Sequence, residues 1–237
     1  MNEILFEVKK SQLKMVKARG YDIREEHQIQ DMSYDEFEDY LDEEIDILSQ
    51  ELSILAPSEK KNKIVVNEQD VLTKIYTTPD NIEPQKSILV YYSNVKTDKK
   101  DTIPSNVITD FKSKSKNHNE SILITDGIVS RLNIKELEPL FDVDWQVFNV
   151  KELTYVPIEH QYSPKYQRLT DEEADVKLKE LGTNRALMPI MSLNGPIAKY
   201  YNYKVGDIIK IYRDDYSIGI PAPKSINYRV VLAVSKN

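Results

Sequence analysis

The sequence predicts an α/β domain over residues 1–152 followed by a smaller α+β domain over residues 153–237, and three observations carry that division. Two short, nearly continuous apolar runs, Ser87–Tyr92 and Ser121–Thr125, flank a segment in which Val107, Ile108 and Phe111 recur at helical spacing. That is the pattern of two covered parallel strands joined by a crossover helix. The texture then changes at TYVPIEHQYSPKYQ, residues 154–167, an extended stretch rich in Pro and Tyr that reads as a domain junction. Beyond it a capped helix, a proline-started helical turn and two alternating strands fit a compact α+β unit.

The elements of the first domain follow in order. Leu5, Val8, Leu13 and Val16 predict a helix from about Glu3 to Ala18, stopped by Arg19-Gly20-Tyr21 with the glycine at its C-terminus. Ser33 and Glu36 form a capping box, and Phe37, Tyr40, Leu41, Ile45, Leu48 and Leu52 continue at helical spacing, which predicts a helix from Tyr34 to about Leu55. Fewer than three clean heptads favour a core-facing or part-exposed helix over a coiled coil. Strands are expected at Lys63–Val66, Leu72–Tyr76, Ser87–Tyr92 and Ser121–Thr125, with the crossover helix at Pro104–Phe111. Asp126-Gly127 marks a turn, Asn133–Leu140 a helix and Trp145–Val150 a last strand.

In the second domain Thr170 and Glu173 form another capping box, Ala174, Leu178 and Leu181 a stripe, and Gly182 the helix stop. An extended piece covers Met188–Leu193. Pro196 sits at a first helical position, Asn202 suits a left-handed exit, and strands are expected at Ile208–Tyr212 and Asn227–Val234.

Composition restricts function. The 237 residues are 40% hydrophobic and 30% charged, as in a soluble globular protein, and no apolar run approaches the ~18 residues of a membrane span. The N-terminus lacks the apolar core of a secretory signal, and with no cysteine there are no disulfides, thiolate nucleophiles or Cys-based zinc sites. An intracellular protein is expected. A net charge of −7 argues against a whole-surface nucleic-acid binder, so any DNA contact should be local.

Chemistry-bearing patterns are sparse. His27, His118 and His160 stand in separate segments, and neither phosphate-cradling glycine motifs nor a hydrolase elbow is present. Pro79-Asp80 followed by Asp98-Lys99-Lys100 resembles the P-D…D-x-K arrangement of Mg2+-dependent nucleases, in which Asp80 and Asp98 would hold the metal and Lys100 orient a water. Chance spacing in a charge-rich chain is the stronger account. The acidic run Asp31–Asp46 is either a surface for a basic partner or metal or, more simply, the solvated face of a helix. Lys112, Lys114 and Lys116 are candidates for phosphate contact, which would suit a stand-alone DNA-binding adaptor, and equally for a plain surface crossover. The tyrosines form no evenly spaced stacking platform. No cofactor or metal is expected.

What remains is GPIAKYYNYKVGDIIKIYR, from Gly195 to Arg213, a strongly shaped helix-turn-strand with no reactive group. Together with Met188-Pro189-Ile190 before it and Tyr228-Arg229-Val230-Val231 after it, this order resembles the fifth-subunit family of eukaryotic RNA polymerases, which has a shorter archaeal relative. The family pattern L-P-R-I, D-P-V-A-R-Y-x-G-x-x-x-G-x-V-V-K-I-x-R and Y-R-x-V is kept at Pro189, Pro196, Ala198, Tyr200, Gly206, Lys210, Arg213, Tyr228 and Arg229, with Lys199 in place of its Arg. Gly195, Ile190 and Asn202 depart from its Asp, Arg and Gly, and the loop Ser217–Ile226 is longer. Ile158-Glu159-His160 is similar to the family's I-x-E-H junction, and Arg19-Gly20-Tyr21, Phe37 and Ser121–Gly127 resemble landmarks of its N-terminal jaw.

The resemblance implies a non-catalytic subunit of a DNA-dependent RNA polymerase, present in one copy. Its second domain would dock on the largest subunit through the residues just named, and its first would be a restriction-endonuclease-like jaw without the catalytic set, beside downstream duplex DNA. By the same resemblance the loop Asp126–Arg131, with Gly127, Ser130 and Arg131, is where DNA would approach, joined by Lys112 and Lys114. Family members with both domains are eukaryotic or of large DNA viruses; divergence and composition lean toward a virus, hence host cytoplasm and virion, against the nucleus for a cellular protein.

Overall fold

The computed structural model describes residues 2–55, 66–93, 102–140, 143–160, 162–215 and 222–233. The chain forms two compact units, Met1–Tyr155 and Val156–Asn237. Among the described residues no helix is long and apolar enough to cross a membrane.

The first unit is a four-stranded mixed sheet between helices. Helix α1 (Asn2–Ala18), a 3-10 helix (Arg24–Gln30), α2 (Tyr34–Leu55) and the short α3 (Glu68–Leu72) precede strands β1 (Lys74–Thr77) and β2 (Ser87–Tyr92). Helix α4 (Ser105–Ser115), β3 (Glu120–Thr125), α5 (Arg131–Leu137) and β4 (Asp144–Asn149) complete it. The sheet order is β1-β2-β3-β4, with β1 antiparallel to β2 and the β2/β3 and β3/β4 pairs parallel. The crossover expected from residues 104–111 is α4, and α5 makes a second.

Strand β3 reads as a continuous apolar run because both its faces are covered. Leu123 packs with Leu89, Phe111 and Leu137 beneath α4 and α5, while Ile122 and Ile124 face the other way and are fully buried. On that second face lies α1, whose Gln12 accepts a hydrogen bond from Tyr92 at 3.4 Å.

Arg19-Gly20-Tyr21 has a structural role. Gly20 leaves α1 at φ 91°, a left-handed conformation that residues with a Cβ rarely adopt. The turn aims Arg19 and Tyr21 at one carboxylate: Arg19 Nη1 donates to Glu120 at 3.1 Å and the Tyr21 hydroxyl donates at 3.0 Å. Arg19 also donates to Gln146 Oε1 at 2.6 Å, so the end of α1 is bound to the starts of β3 and β4. Burial pulls the Arg19 guanidinium's pKa down against the opposing pull of Glu120, and burial with the same carboxylate pushes the Tyr21 phenol up.

Several sequence expectations need correction. Leu72 ends a helix rather than opening a strand: Asn67 caps α3, Asp70 completes the capping box, and Thr73 Oγ1 back-bonds to the Gln69 carbonyl at 2.8 Å. The alternation Leu72, Lys74, Tyr76 runs a helix end into a strand and so imitates period two. Helix α5 starts two residues earlier than Asn133, because the Ser130 hydroxyl accepts from the Asn133 amide at 3.1 Å, and it ends at Leu137. Of the strand expected at Lys63–Val66, residues 63–65 lie outside the described residues and Val66 is not in a strand.

The second unit carries a sheet of order β5-β7-β8-β6, built from β5 (Lys165–Arg168), β6 (Ile190–Ser192), β7 (Ile208–Asp215) and β8 (Ala222–Leu232). Helix α6 (Asp171–Glu180) packs with Ile208 and Val230 on one face. Helix α7 (Pro196–Tyr201) packs with Ile209, Ile211 and Val231 on the other. Strand β8 begins at Ala222 rather than Asn227, since β7 extends to Asp215 and pairs with it past a register shift at Arg213/Asp214. Val234 and part of the loop expected at Ser217–Ile226, residues 217–221, lie outside the described residues.

Candidate functional site

The segment Gly195–Arg213 is built from backbone devices its residues specify. Gly195 precedes α7 with its amide on the Ser192 carbonyl at 3.0 Å. A Cβ there would stand 3.0 Å from that same oxygen, so glycine suits the close approach. Pro196 then occupies the first helical position, where its missing N–H costs nothing. The helix ends in a Schellman arrangement: Asn202 is left-handed at φ 56° and ψ 41°, and Tyr203 N donates to the Ala198 carbonyl at 2.9 Å. Asparagine tolerates this conformation better than any other residue with a side chain except, at times, Asp, which accounts for its standing where the pattern has Gly.

Four residues on, Asp207 N closes a tight turn onto the Lys204 carbonyl at 3.1 Å, with Gly206 at φ 95° in its third position. The turn is fastened to β8 on both sides. Gly206 N donates to the Val231 carbonyl and Val231 N to the Asp207 carbonyl, each at 2.9 Å. Arg168 pairs with Asp207 at 3.1 Å and so adds β5 to the same corner.

The residues expected at a subunit interface fall into four groups. Ala198 and Tyr200 are buried within the protein at 1% and 3% exposure, and Gly206 shapes the turn. Lys210 and Tyr228 are register partners on the α6 side of the sheet. Arg229 pairs with Ile209 on the opposite, α7 side and donates to the Ile190 carbonyl at 3.3 Å. Pro189, Pro196 and Arg213 are exposed and Lys199 is half-buried.

Around Lys210 and Tyr228 the structure assembles a strip the sequence reading did not collect. The Lys210 ammonium lies 4.8 Å from the centre of the Tyr212 ring, and Lys177 of α6 lies 5.3 Å from that of Tyr228. Tyr212 donates to Gln167 Oε1 at 2.7 Å, and Ile226 beside it is 47% exposed. The hydrogen bond with Tyr212 holds Lys210 above the ordinary lysine value. Period-two alternation along β7 and β8 would have found Tyr212 and Ile226; Lys177 arrives from another element and leaves no sequence signal.

The residues expected near DNA do not form one patch. Gly127, whose amide donates to Thr125 Oγ1 at 3.0 Å, Ser130 and the exposed Arg131 lie past the C-terminal end of β3. Lys112 and Lys114 lie in the last turn of α4, which leads into the other end of that strand, a strand length away. Both lysines have intramolecular partners. Lys112 donates to the Glu136 carbonyl at 3.1 Å, and Lys114 pairs with Asp110 at 3.0 Å over the ring of Tyr91.

Of the nuclease-like set, Asp80 is exposed in a turn, and Asp98 and Lys100 lie outside the described residues. Among the described residues no group of three or more His, Asp or Glu is placed to hold a metal ion.

Comparison with known proteins matches residues 155–231 to the family described as RNA polymerase Rpb5, C-terminal domain. The DNA-directed RNA polymerase subunit Rpo5 of Aeropyrum pernix is 41% identical over 81 residues, 34% of this chain and 86% of that protein. A protein of Invertebrate iridescent virus 6, provisionally named DNA-directed RNA polymerase subunit 454R, is 30% identical over 161 residues, 63% of this chain and 83% of that protein. That match is longer than the second unit and so runs into the first. Subunit 5B of the Arabidopsis thaliana DNA-directed RNA polymerases IV and V is 29% identical over 97 residues, 40% of this chain and 44% of that protein.

Proposed function

Because the chain belongs to the Rpb5/Rpo5 family of non-catalytic DNA-directed RNA polymerase subunits, we propose that its second unit docks on the largest subunit of a polymerase and that its first unit stands as a jaw beside downstream duplex DNA. One observation carries the docking reading. The Aeropyrum pernix subunit is matched over 86% of its length by only 34% of this chain, about the size of the Rpb5 C-terminal domain match. A protein consisting of little more than that domain bears the name of a polymerase subunit, so the domain is the part suited to assembly.

The physical character of the unit supports the same reading. Ala198, Tyr200 and Gly206 hold the shape of the helix-turn-strand, and Pro189, Pro196, Lys199, Lys210, Arg213, Tyr228 and Arg229 supply the contacts. Aromatic side chains on a rigid sheet have few rotamers to lose on docking, which favours stable association, and the lysines and arginines around them add charged contacts. The first unit, with two parallel crossovers on one sheet, is compatible with a restriction-endonuclease-like jaw. Gly127, Ser130 and Arg131 at the end of β3 are its side toward DNA. One copy serves each complex, in the host cytoplasm and virion of a virus or in the nucleus of a cell.

The test is purification of the tagged full chain from its native source, with its companions identified by mass spectrometry. Two very large polymerase subunits in equal yield are expected, and Lys210→Glu with Tyr228→Ala should lower that yield several-fold. Recovery of the chain alone, under conditions that keep polymerases intact, would refute the assembly role. Asp98→Ala should leave the assembled polymerase active; a chain acting as a nuclease would lose Mg2+-dependent DNA cleavage instead.

A further inference from the structure

The helical layer over one face of the first sheet stops short of edge strand β1 and leaves a cleft of about 600 Å3. Its floor is Ile75, Leu89 and Val71, and its walls include Leu48 of α2 and the Lys114 and His118 end of α4. Ile75 is 56% exposed although it lies on a strand whose inner neighbours are buried. Helix α2 extends the same apolar surface. Its first half is anchored by Phe37 and Leu41, at 0% and 2% exposure, but Leu48 and Leu52 one helical turn apart are only half-buried, and Ile47 and Ile54 are 45% and 75% exposed.

Charge selects the occupant. Helix α2 holds nine carboxylates and no lysine or arginine, while the whole chain has a net charge of −7, so the helix is the acidic pole of a chain otherwise slightly positive. The cations of the cleft are already engaged: Lys74 pairs with Glu44 at 3.5 Å, and Lys114 with Asp110 at 3.0 Å. Glu44 and Glu51 border the Leu48–Leu52 stripe by helical spacing. A nucleic acid would be repelled here, and so would a second copy of the chain presenting its own α2.

The geometry points to a docking groove for a basic amphipathic helix of a partner protein, its apolar side seated on Leu48, Leu52 and Ile75 and its lysines or arginines over the carboxylates of α2. Helix-in-groove recognition of this kind places anchors three and four residues apart, matching the spacing of the stripe. The groove lies in the first unit and is independent of how the second unit is held in a polymerase.

The test uses the full chain and a fluorescent 18-residue peptide of Lys and Leu at amphipathic spacing, with a Glu/Leu peptide of the same apolar pattern as control, read by anisotropy. The basic peptide should bind one-to-one and the acidic one should not. Leu48→Gln with Leu52→Gln should weaken binding by about tenfold, the scale of the apolar contact removed, with circular dichroism and melting unchanged. Ile75→Gln, at an exposed position, gives the same reading should the helix pair disturb folding. Glu44→Gln and Glu51→Gln together should weaken binding and flatten its salt dependence.

Binding that survives all the apolar substitutions would reduce the effect to charge alone and overturn the groove, as would no binding. A dimer of the chain that Leu48→Gln and Leu52→Gln dissociate would assign the surface to a second copy instead.

Discussion

Lys9 and Glu26 form an ion pair inside the first unit, with Nζ 2.9 Å from Oε2 and the side chains 0% and 7% exposed. Nζ also donates to the Tyr76 hydroxyl at 3.0 Å, and that hydroxyl donates to the same Glu26 oxygen. One cluster thereby joins α1, the following 3-10 helix and edge strand β1. Burial together with Glu26 pushes the Tyr76 phenol far above its ordinary value, so it remains a donor at any physiological pH.

Breaking such a pair strands a buried charge, whereas removing both partners does not. Lys9→Met should cost the first unit about 3 kcal/mol or more, and Lys9→Met with Glu26→Gln should recover much of that loss. Urea denaturation followed by the fluorescence of Trp145, the chain's single tryptophan and part of β4, measures both. A double variant as unstable as the single one would show that the two groups are not coupled.

His118 should make the first unit acid-sensitive. Burial lowers its pKa below the ordinary 6.5, and Ser87 Oγ lies 3.0 Å from Nδ1. A depressed pKa in the folded state means that the unfolded chain takes up the proton first. The unit therefore keeps its full stability above pH 6.5 and loses part of it as pH falls through 6.5 toward the folded-state value. His118→Gln should flatten this slope in Trp145-monitored melts between neutral and mildly acid pH, while a slope unchanged by the substitution would assign the sensitivity to other groups.

At the exit of α7, Asn202→Gly should be neutral or mildly stabilising, because glycine enters the left-handed region without a Cβ penalty. Asn202→Val should cost about 1–2 kcal/mol. Gly206→Ala, at φ 95°, should cost about 1 kcal/mol or more. Hydrogen exchange at the Tyr203 amide, which the Ala198 carbonyl protects, reads the first two, and exchange at the Val231 amide, which the Asp207 carbonyl protects, reads the third.

Arg131 and Lys112 should behave differently although both are basic residues of the first unit. Arg131→Glu should weaken the assembled polymerase's hold on downstream duplex and reduce the salt dependence of binding by about one contact. Lys112→Ala should instead lower the stability of the first unit modestly, since its ammonium holds the Glu136 carbonyl at the end of α5. Equal effects of the two on DNA affinity would contradict this division.

Local chemistry was legible in the sequence wherever one short segment contains both partners of an interaction. The Ser33/Glu36 and Thr170/Glu173 boxes form as read, with Ser33 N donating to Glu36 at 2.7 Å and Thr170 N to Glu173 at 2.9 Å. The left-handed residues Gly20, Gly182 and Asn202 stand where helix stops were expected, because steric limits on φ act within a single residue. The parallel core β2-α4-β3 followed from apolar runs too continuous for a half-exposed strand.

Only the tertiary structure decided which distant residues meet. Nothing local relates Arg19 to Glu120, or Lys9 to Tyr76, since contacts across such separations depend on how α1 lies over the sheet. Likewise Lys177 joins Lys210 and Tyr228 only because α6 packs on one face of the second sheet, and the basic residues of the first unit divide because α4 and α5 run antiparallel to the strand between them. Sequence determines backbone conformation and burial through forces that act over a few residues; the assembly of surfaces is left to packing, where period-two faces, crossovers and buried charges bring residues from separate elements to one place.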